Sequence, residues 1–154
     1  MADDPRRIRS LAVTADDVVS AYEARQQSPR LLVLRATPPF SGRMRARLHD
    51  PGPAGTDSQS DLDPETGALL VPPARLLAEE SVPSYPTPDE TEDALRETPD
   101  EEVTVERHRE RHVEAVEAWR EAVADAIVET AALRVGEGET HQVEVKTLGK
   151  SSGE

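Results

Sequence analysis

The segment "RLLVLRATPPFSGRMRARLH", residues 30–49, decides the fold that we predict. Two runs of strand-forming residues flank a turn rich in Pro, Ser and Gly at residues 38–42, which is typical of a β-hairpin. If the turn centres on Phe40, one face of the hairpin is apolar and the other is basic. The apolar face pairs Leu32 with Leu48, Leu34 with Ala46, and Ala36 with Met44. The basic face pairs Arg35 with Arg45, Val33 with Arg47, and Thr37 with Arg43. A slip of one residue would invert every side chain, so the clean separation supports this register.

The candidate anion- or partner-binding site is formed by the arginines of this hairpin, Arg35, Arg43, Arg45 and Arg47. Like charges that face each other across two strands cost free energy unless an anion neutralises them. Three sources of that anion are open: carboxylates of the same chain, an acidic partner protein, or a nucleic acid. Within the chain, the loop at 57–65, the segment at 89–102 or Glu144 could supply carboxylates. Electrostatic binding of nucleic acid weakens steeply with salt, and Phe40 is the only aromatic residue of the hairpin. We therefore rank pairing within the chain first, an acidic partner second and nucleic acid third.

The charge of the chain is large and unevenly distributed. The net charge is -13, with 31 acidic residues against 18 basic ones, of which only Lys146 and Lys150 are Lys. The first 50 residues carry nine arginines against six acidic residues, whereas residues 51–102 carry two against fourteen. In about 1 M salt the Debye length is only ~3 Å, so the self-repulsion of such a chain is screened. The composition is typical of proteins that work in molar salt, and we expect the chain to lose structure in low salt.

The sequence offers no sign of secretion, of a membrane span or of a cofactor. There is no cysteine, hence no disulfide and no thiolate ligand or nucleophile. The N-terminus lacks the apolar region of a signal peptide, and the longest uncharged apolar stretch, residues 68–74, is far shorter than the ~20 residues of a transmembrane helix. We expect a soluble cytoplasmic protein with no membrane partner and no cofactor.

Catalytic and metal-binding patterns are equally scarce. No "GxSxG" motif and no glycine-rich phosphate loop is present. His108 and His112 stand four residues apart on a predicted helix, a spacing at which two imidazoles can share a metal ion. The zinc-protease pattern requires Glu directly after the first His, and that position is Arg109. We therefore predict no metal site and interpret the two histidines as making local hydrogen bonds. The scarcity of catalytic motifs favours a protein that is not an enzyme, but it does not exclude one.

Local signals place the remaining elements. A helix is predicted from Thr14 to about Ser28, followed by the hairpin. Residues 68–71 predict a short edge strand that leads into a helical turn. Two copies of "TPDE", at 87–90 and 98–101, resemble capping boxes. The first is expected to start a short polar helix, and the second a long helix that ends near Thr130.

A last hairpin turns at residues 136–139, with Val143 and Val145 on one face. Together these elements predict one α+β domain over residues 1–148, with an antiparallel sheet of four to five strands and two main helices packed on one face. Mobile acidic loops are expected at about 51–67 and 80–100, and a disordered tail at 149–154.

Three segments carry a resemblance to a family: "TPPFSGRMRARLH" at 37–49, "VPPARLL" at 71–77 and "ERHRERHVEAVEAW" at 106–119. They resemble a small uncharacterised protein family of halophilic archaea, over most of residues 10–148. The resemblance implies no activity and no site. From the residues themselves we expect a non-enzymatic interaction or accessory module. The alternative is a nucleic-acid-associated protein that uses the arginine-rich hairpin. The sequence leaves the oligomeric state open.

Overall fold

The computed structural model describes residues 4–27, 31–51, 61–63, 66–100, 102–136 and 138–148. The strands are β1 (Ser10–Thr14), β2 (Val33–Ala36), β3 (Arg43–Arg45), β4 (Arg47–His49), β5 (Leu69–Val71), β6 (Thr130–Gly136) and β7 (Glu139–Leu148). The α-helices are α1 (Ala15–Gln27), α2 (Pro88–Glu97) and α3 (Val105–Asp125). The described strands form two sheets, one ordered β3-β1-β7-β6 and the other β4-β2-β5. One hydrophobic cluster joins the two sheets to α1 and α3, so the chain is an α+β protein.

The four-stranded sheet is mixed, and β1 lies at its centre. β1 runs parallel to both β3 and β7, whereas β6 and β7 pair antiparallel. Leu11 is fully buried and stands in register with Met44 of β3 and Val145 of β7, so this row faces the core. Because side chains alternate along a strand, the neighbouring rows face solvent on the other side of the sheet.

We predicted a single antiparallel sheet with both helices on one face. This prediction is wrong, because the described strands form two sheets and one of them is mixed. β2 does pair antiparallel with a segment that follows the turn, but Arg35 stands opposite Arg47 and not opposite Arg45. Residues Arg43–Arg45 leave the predicted hairpin and join the other sheet as β3. The chain changes sheet at Ala46, which is fully buried and donates its N–H to the carbonyl of Ala12 at 2.9 Å. Pairing with β1, a strand that we did not predict, therefore replaces the half of the hairpin nearest the turn.

The terminal hairpin and the short strand are present. β6 and β7 pair antiparallel, and both Val143 and Val145 are buried, which confirms that they share a core face. β5 lies at the edge of the three-stranded sheet and leads into a 3-10 turn, Pro73–Leu76.

Capping explains where the first two helices start. α1 begins after Thr14, whose hydroxyl accepts a hydrogen bond from the Asp17 N–H at 3.0 Å, as the sequence predicts. α2 begins with a complete capping box, in which Thr87 and Glu90 bond each other's backbone N–H groups. The first "TPDE" copy therefore acts as predicted.

The second "TPDE" copy does not start the long helix. Thr98 instead ends α2, and α3 begins after Thr104, whose hydroxyl accepts from the Arg107 N–H at 3.0 Å. α3 ends at Asp125 rather than near Thr130, because Thr130 already belongs to β6. The capping signal at Thr98 is overridden, since the chain must first turn back so that α2 packs against α3.

The two segments that we expected to be loops contain packed residues. Within 80–100 lies α2, whose Leu95 is fully buried. Within 51–67 the structure describes Asp61, which is 5% exposed, and Leu62, which bridges to Leu69. Residues 52–60, 64–65 and 149–154 lie outside the described residues.

An aromatic cluster holds α1 against α3. The rings of Tyr22 and Trp119 stack with centroids 5.9 Å apart, and Tyr85 meets Trp119 edge-on at 4.7 Å. The guanidinium of Arg120 donates two hydrogen bonds to Glu23, at 2.8 and 3.0 Å, and the Tyr85 hydroxyl donates a third at 2.8 Å. Burial raises the pKa of Glu23, but these hydrogen bonds and the charge of Arg120 outweigh it and hold the pKa below its ordinary value.

We expect Glu23→Gln to lower stability at about pH 7, and to lower it progressively less as pH falls below the ordinary Glu pKa of 4.5. A carboxyl whose pKa is lowered by folding stabilises the protein above its unfolded pKa, and this contribution is lost as pH falls below the ordinary 4.5 through the lowered value. Thermal unfolding across this range measures the difference between the variant and the unmodified chain. Glu121→Gln, at an exposed position on α3, is the control. A difference that stays constant with pH would contradict the assignment.

Candidate functional site

Basic side chains from three segments of the chain meet at one end of the mixed sheet. They surround an open cleft of about 780 Å³. Its lining residues come from the N-terminal segment, β1, the start of β3 with the residue before it, and β7: Arg6, Arg7, Arg9, Ser10, Gly42, Arg43, Glu144 and Lys146. The parallel placement of β1 between β3 and β7 creates this cleft, because it brings positions 10, 43 and 144 into one row.

Strand register extends the basic surface beyond the cleft. Arg45 pairs with Ala12, and Ala12 pairs on its other side with Lys146. Side chains in one register row point to the same face of a sheet, so Arg45 and Lys146 lie on the same solvent face. We call the six cations of this region the basic face: Arg6, Arg7, Arg9, Arg43, Arg45 and Lys146.

The turn before β3 is held closely by the N-terminal segment. The Gly42 carbonyl accepts hydrogen bonds from the N–H groups of Arg9 and Ser10, at 2.8 and 2.9 Å. A Cβ at Gly42 would lie 3.8 Å from the Cδ of Arg9, so the aliphatic stem of Arg9 covers this glycine. The backbone contact fixes Arg9 beside the start of β3.

Among the described residues, two of the six cations have a carboxylate partner and four do not. Arg6 bonds Glu139 and lies 3.5 Å from Asp4, and Lys146 bonds Glu144 at 3.1 Å. The remaining cations of the basic face are exposed, and none of them bonds a carboxylate among the residues that the structure describes: Arg7, Arg9, Arg43 and Arg45. Arginine is always charged, so the four guanidiniums form a surface that can accept anions.

The structure separates the four predicted site residues into two pairs. Arg43 and Arg45 belong to the basic face, whereas Arg35 and Arg47 stand opposite each other in the three-stranded sheet. Arg35 is half-buried and Arg47 is exposed. The predicted row of four on one hairpin face is therefore wrong, because the ribbon divides at Ala46.

The carboxylates that we expected to neutralise these arginines do not do so within the described residues. Glu144 is close but bonds Lys146. In the segment 89–102, Glu92 bonds Arg96 and Glu90 completes the α2 cap. Most of the loop at 57–65 lies outside the described residues, and its Asp61 is bonded to Arg75.

Sequence reasoning missed the cations at Arg6, Arg7, Arg9 and Lys146. The cluster "RRIR" at 6–9 was a visible signal, since it places three arginines in four residues. Its proximity to β3 was not visible, because it depends on the parallel pairing of β1. The alternation in "SLAVT" at 10–14, with Leu11 and Val13 buried, indicates that strand in retrospect.

Every Phe, Trp and Tyr of the chain is either buried or packed against Trp119. Phe40 and Trp119 are each 2% exposed. Tyr22 and Tyr85 pack against Trp119. The basic face therefore offers charge and hydrogen bonds but no Phe, Trp or Tyr ring on which a nucleobase could stack.

His108 and His112 contact α2. The Nε2 of His108 lies 2.8 Å from the Pro88 carbonyl, and the Nδ1 of His112 lies 3.0 Å from the Thr91 hydroxyl. Their rings are parallel, with centroids 6.1 Å apart. Both rings thus help to attach α2 to α3. In the described part of the chain, no group of three or more His, Cys, Asp or Glu could hold a metal ion.

A buried ion pair joins the two sheets. Asp61 accepts two hydrogen bonds from the Arg75 guanidinium, both at 3.1 Å, and a third from the Arg134 N–H at 2.9 Å. The Asp61 N–H donates to the Arg134 carbonyl at 2.7 Å, and its own carbonyl accepts from Leu70 at 2.6 Å. Asp61 thereby connects β5, β6 and the 3-10 turn, and its role is structural.

A comparison with protein-family models matches residues 1–149 to a model described as a domain of unknown function, DUF8009. No curated protein and no solved structure matches the chain. Among the helices of the described residues, none is both long enough and apolar enough to cross a bilayer.

Proposed function

The chain belongs to the DUF8009 family, and we propose that it is a non-enzymatic interaction or accessory module whose basic face binds an acidic partner protein. One observation carries the proposal. Four exposed guanidiniums lack a carboxylate partner among the described residues of a chain that has 31 acidic residues. Like charges this close cost free energy when no anion is bound, and a carboxylate-bearing partner removes that cost.

A carboxylate partner is favoured over a nucleic acid because of the surroundings of the basic face. The Phe, Trp and Tyr rings are in the core or packed on Trp119, so none of them is available for base stacking. Counterion release, the other main source of nucleic-acid affinity, contributes little in concentrated salt. Arginine forms paired hydrogen bonds with a carboxylate, and these rely on contact geometry rather than long-range attraction. Binding of nucleic acid through the arginines stays as the second candidate.

Purification of the tagged chain from its host in about 2 M salt tests both candidates, since long-range attraction is screened there. We expect an acidic protein to copurify in a fixed ratio, and to be lost from the double variant Arg43→Glu and Arg45→Glu. The matched control reverses Arg35 and Arg47 in the other sheet and should retain the partner. Nucleic acid that copurifies and is lost on Arg45→Glu would favour the second candidate. Equal retention by both double variants would contradict the role of the basic face.

A further inference from the structure

The outer edge of β3 borders the basic face, and we infer that it binds an extended acidic segment of the partner by strand addition. This inference rests on the proposed function, and it names how the partner is held. In strand addition, an extended segment pairs with an exposed sheet edge through main-chain hydrogen bonds, while alternate side chains supply specificity.

On the side away from β1, the backbone of β3 has groups without a partner among the described residues. The Gly42 carbonyl accepts from Ser10, and the Ala46 N–H donates to Ala12, so positions 42, 44 and 46 face β1. Backbone groups of successive residues point to opposite edges of a strand, and those of Arg43 and Arg45 therefore point outward. The Ser41 hydroxyl bonds the Arg43 carbonyl at 2.9 Å. The other outward groups, both N–H groups and the Arg45 carbonyl, bond nothing among the described residues.

The opposite edge of the same sheet is less available. The N–H and the carbonyl of Arg134 on β6 both bond Asp61, at 2.9 and 2.7 Å. That contact occupies the outward groups of β6 at this position. Among the described strands of the mixed sheet, β3 is thus the edge that can add a further strand.

Charge determines the chemistry of the added segment. Arg43 and Arg45 point to the same solvent face, so an added strand places its outer-face side chains directly across from two guanidiniums. Cross-strand neighbours have Cβ atoms about 4.5–5.5 Å apart, within reach of an arginine–carboxylate pair. A second copy of this chain would instead place its own β3 arginines against them, and like charges across two strands are unfavourable. The favoured occupant is therefore a segment with Glu or Asp at alternate positions.

Three synthetic peptides test the inference with the protein unmodified. The parent peptide alternates glutamate and valine. In one derivative every glutamate amide is N-methylated, and in the other every amide is. A strand at an edge directs alternate amides toward its neighbour, and the strand direction decides which set points inward, so only methylation of every amide removes the hydrogen bonds in both directions. Calorimetry or fluorescence anisotropy in about 1 M salt gives the affinities free of long-range attraction.

We expect the parent to bind, the fully methylated derivative to bind about tenfold or more weakly, and the glutamate-methylated derivative to match one or the other according to strand direction. Binding of the parent should also be lost in the double variant Arg43→Glu and Arg45→Glu, and retained when Arg35 and Arg47 are reversed. Equal affinities of the parent and the fully methylated peptide would overturn strand addition while leaving the proposed acidic partner in place. No binding of the parent peptide would overturn the inference, and the copurification experiment would then decide the proposed function by itself.

Discussion

Replacement of Asp61 by Ala is expected to destabilise the protein by about 3–5 kcal/mol, because it breaks a buried ion pair and leaves one partner uncompensated. Asp61 is 5% exposed, and its two carboxylate oxygens accept from the Arg75 guanidinium and from the Arg134 N–H. Its loss would leave the Arg75 side chain, which is 23% exposed, without this charge partner. Urea unfolding followed by circular dichroism measures the change.

Two further variants identify the source of this effect. Asp61→Asn keeps an oxygen that can accept from the Arg134 N–H and should cost less than Asp61→Ala. The double variant Asp61→Ala with Arg75→Ala should cost less than the sum of the two single changes, because the partners interact directly. A cost below about 1 kcal/mol for Asp61→Ala would show that the pair contributes little more than a surface salt bridge.

The second large effect is expected at the aromatic cluster. Trp119→Ala should destabilise by about 3–5 kcal/mol, the range typical of removing a buried aromatic side chain. Trp119 is 2% exposed, packs against Tyr22 and Tyr85, and donates its Nε1–H to the Pro83 carbonyl at 3.0 Å. The side chain therefore joins α1, α3 and the segment before α2.

Two controls separate ring packing from the hydrogen bond. Trp119→Phe keeps a ring but loses the bond to Pro83, so a smaller loss of about 1–3 kcal/mol is expected. Val105→Ala, at a residue of α3 that is 75% exposed, should change stability by no more than about 0.5 kcal/mol. Equal effects of Trp119→Ala and Val105→Ala on the free energy of unfolding would contradict the packing of α3 described here.

Local patterns predicted the elements whose signals lie within a few residues. The Thr14 cap, the capping box at Thr87 and the alternation that buries Val143 and Val145 were all confirmed. Each of these depends on contacts close in sequence, or on a period that the chain itself displays. The strand nature of residues 33–36 and 43–49 was predicted for the same reason.

Long-range pairing was beyond these signals. Residues 43–45 could pair either with the preceding strand through a short turn or with β1, more than thirty residues earlier in the chain. The short turn is the simpler prediction, but burial of Ala46 and the parallel ladder with β1 decide otherwise. For the candidate site, Arg43 and Arg45 were therefore placed correctly on a strand but given the wrong neighbours. Arg7 and Arg9 were missed because only the parallel ladder brings them near.

The central claim is that β1 lies parallel to β3, since this pairing assembles the basic face and leaves the β3 edge open. Disulfide trapping tests it directly, because the chain has no cysteine of its own. In the double variant Ala12→Cys with Arg45→Cys the two positions are paired neighbours, and oxidation should close an intramolecular disulfide. In Arg35→Cys with Arg45→Cys, the pair that a simple hairpin would form, no disulfide should close. Efficient closure of the second pair and not of the first would contradict this account.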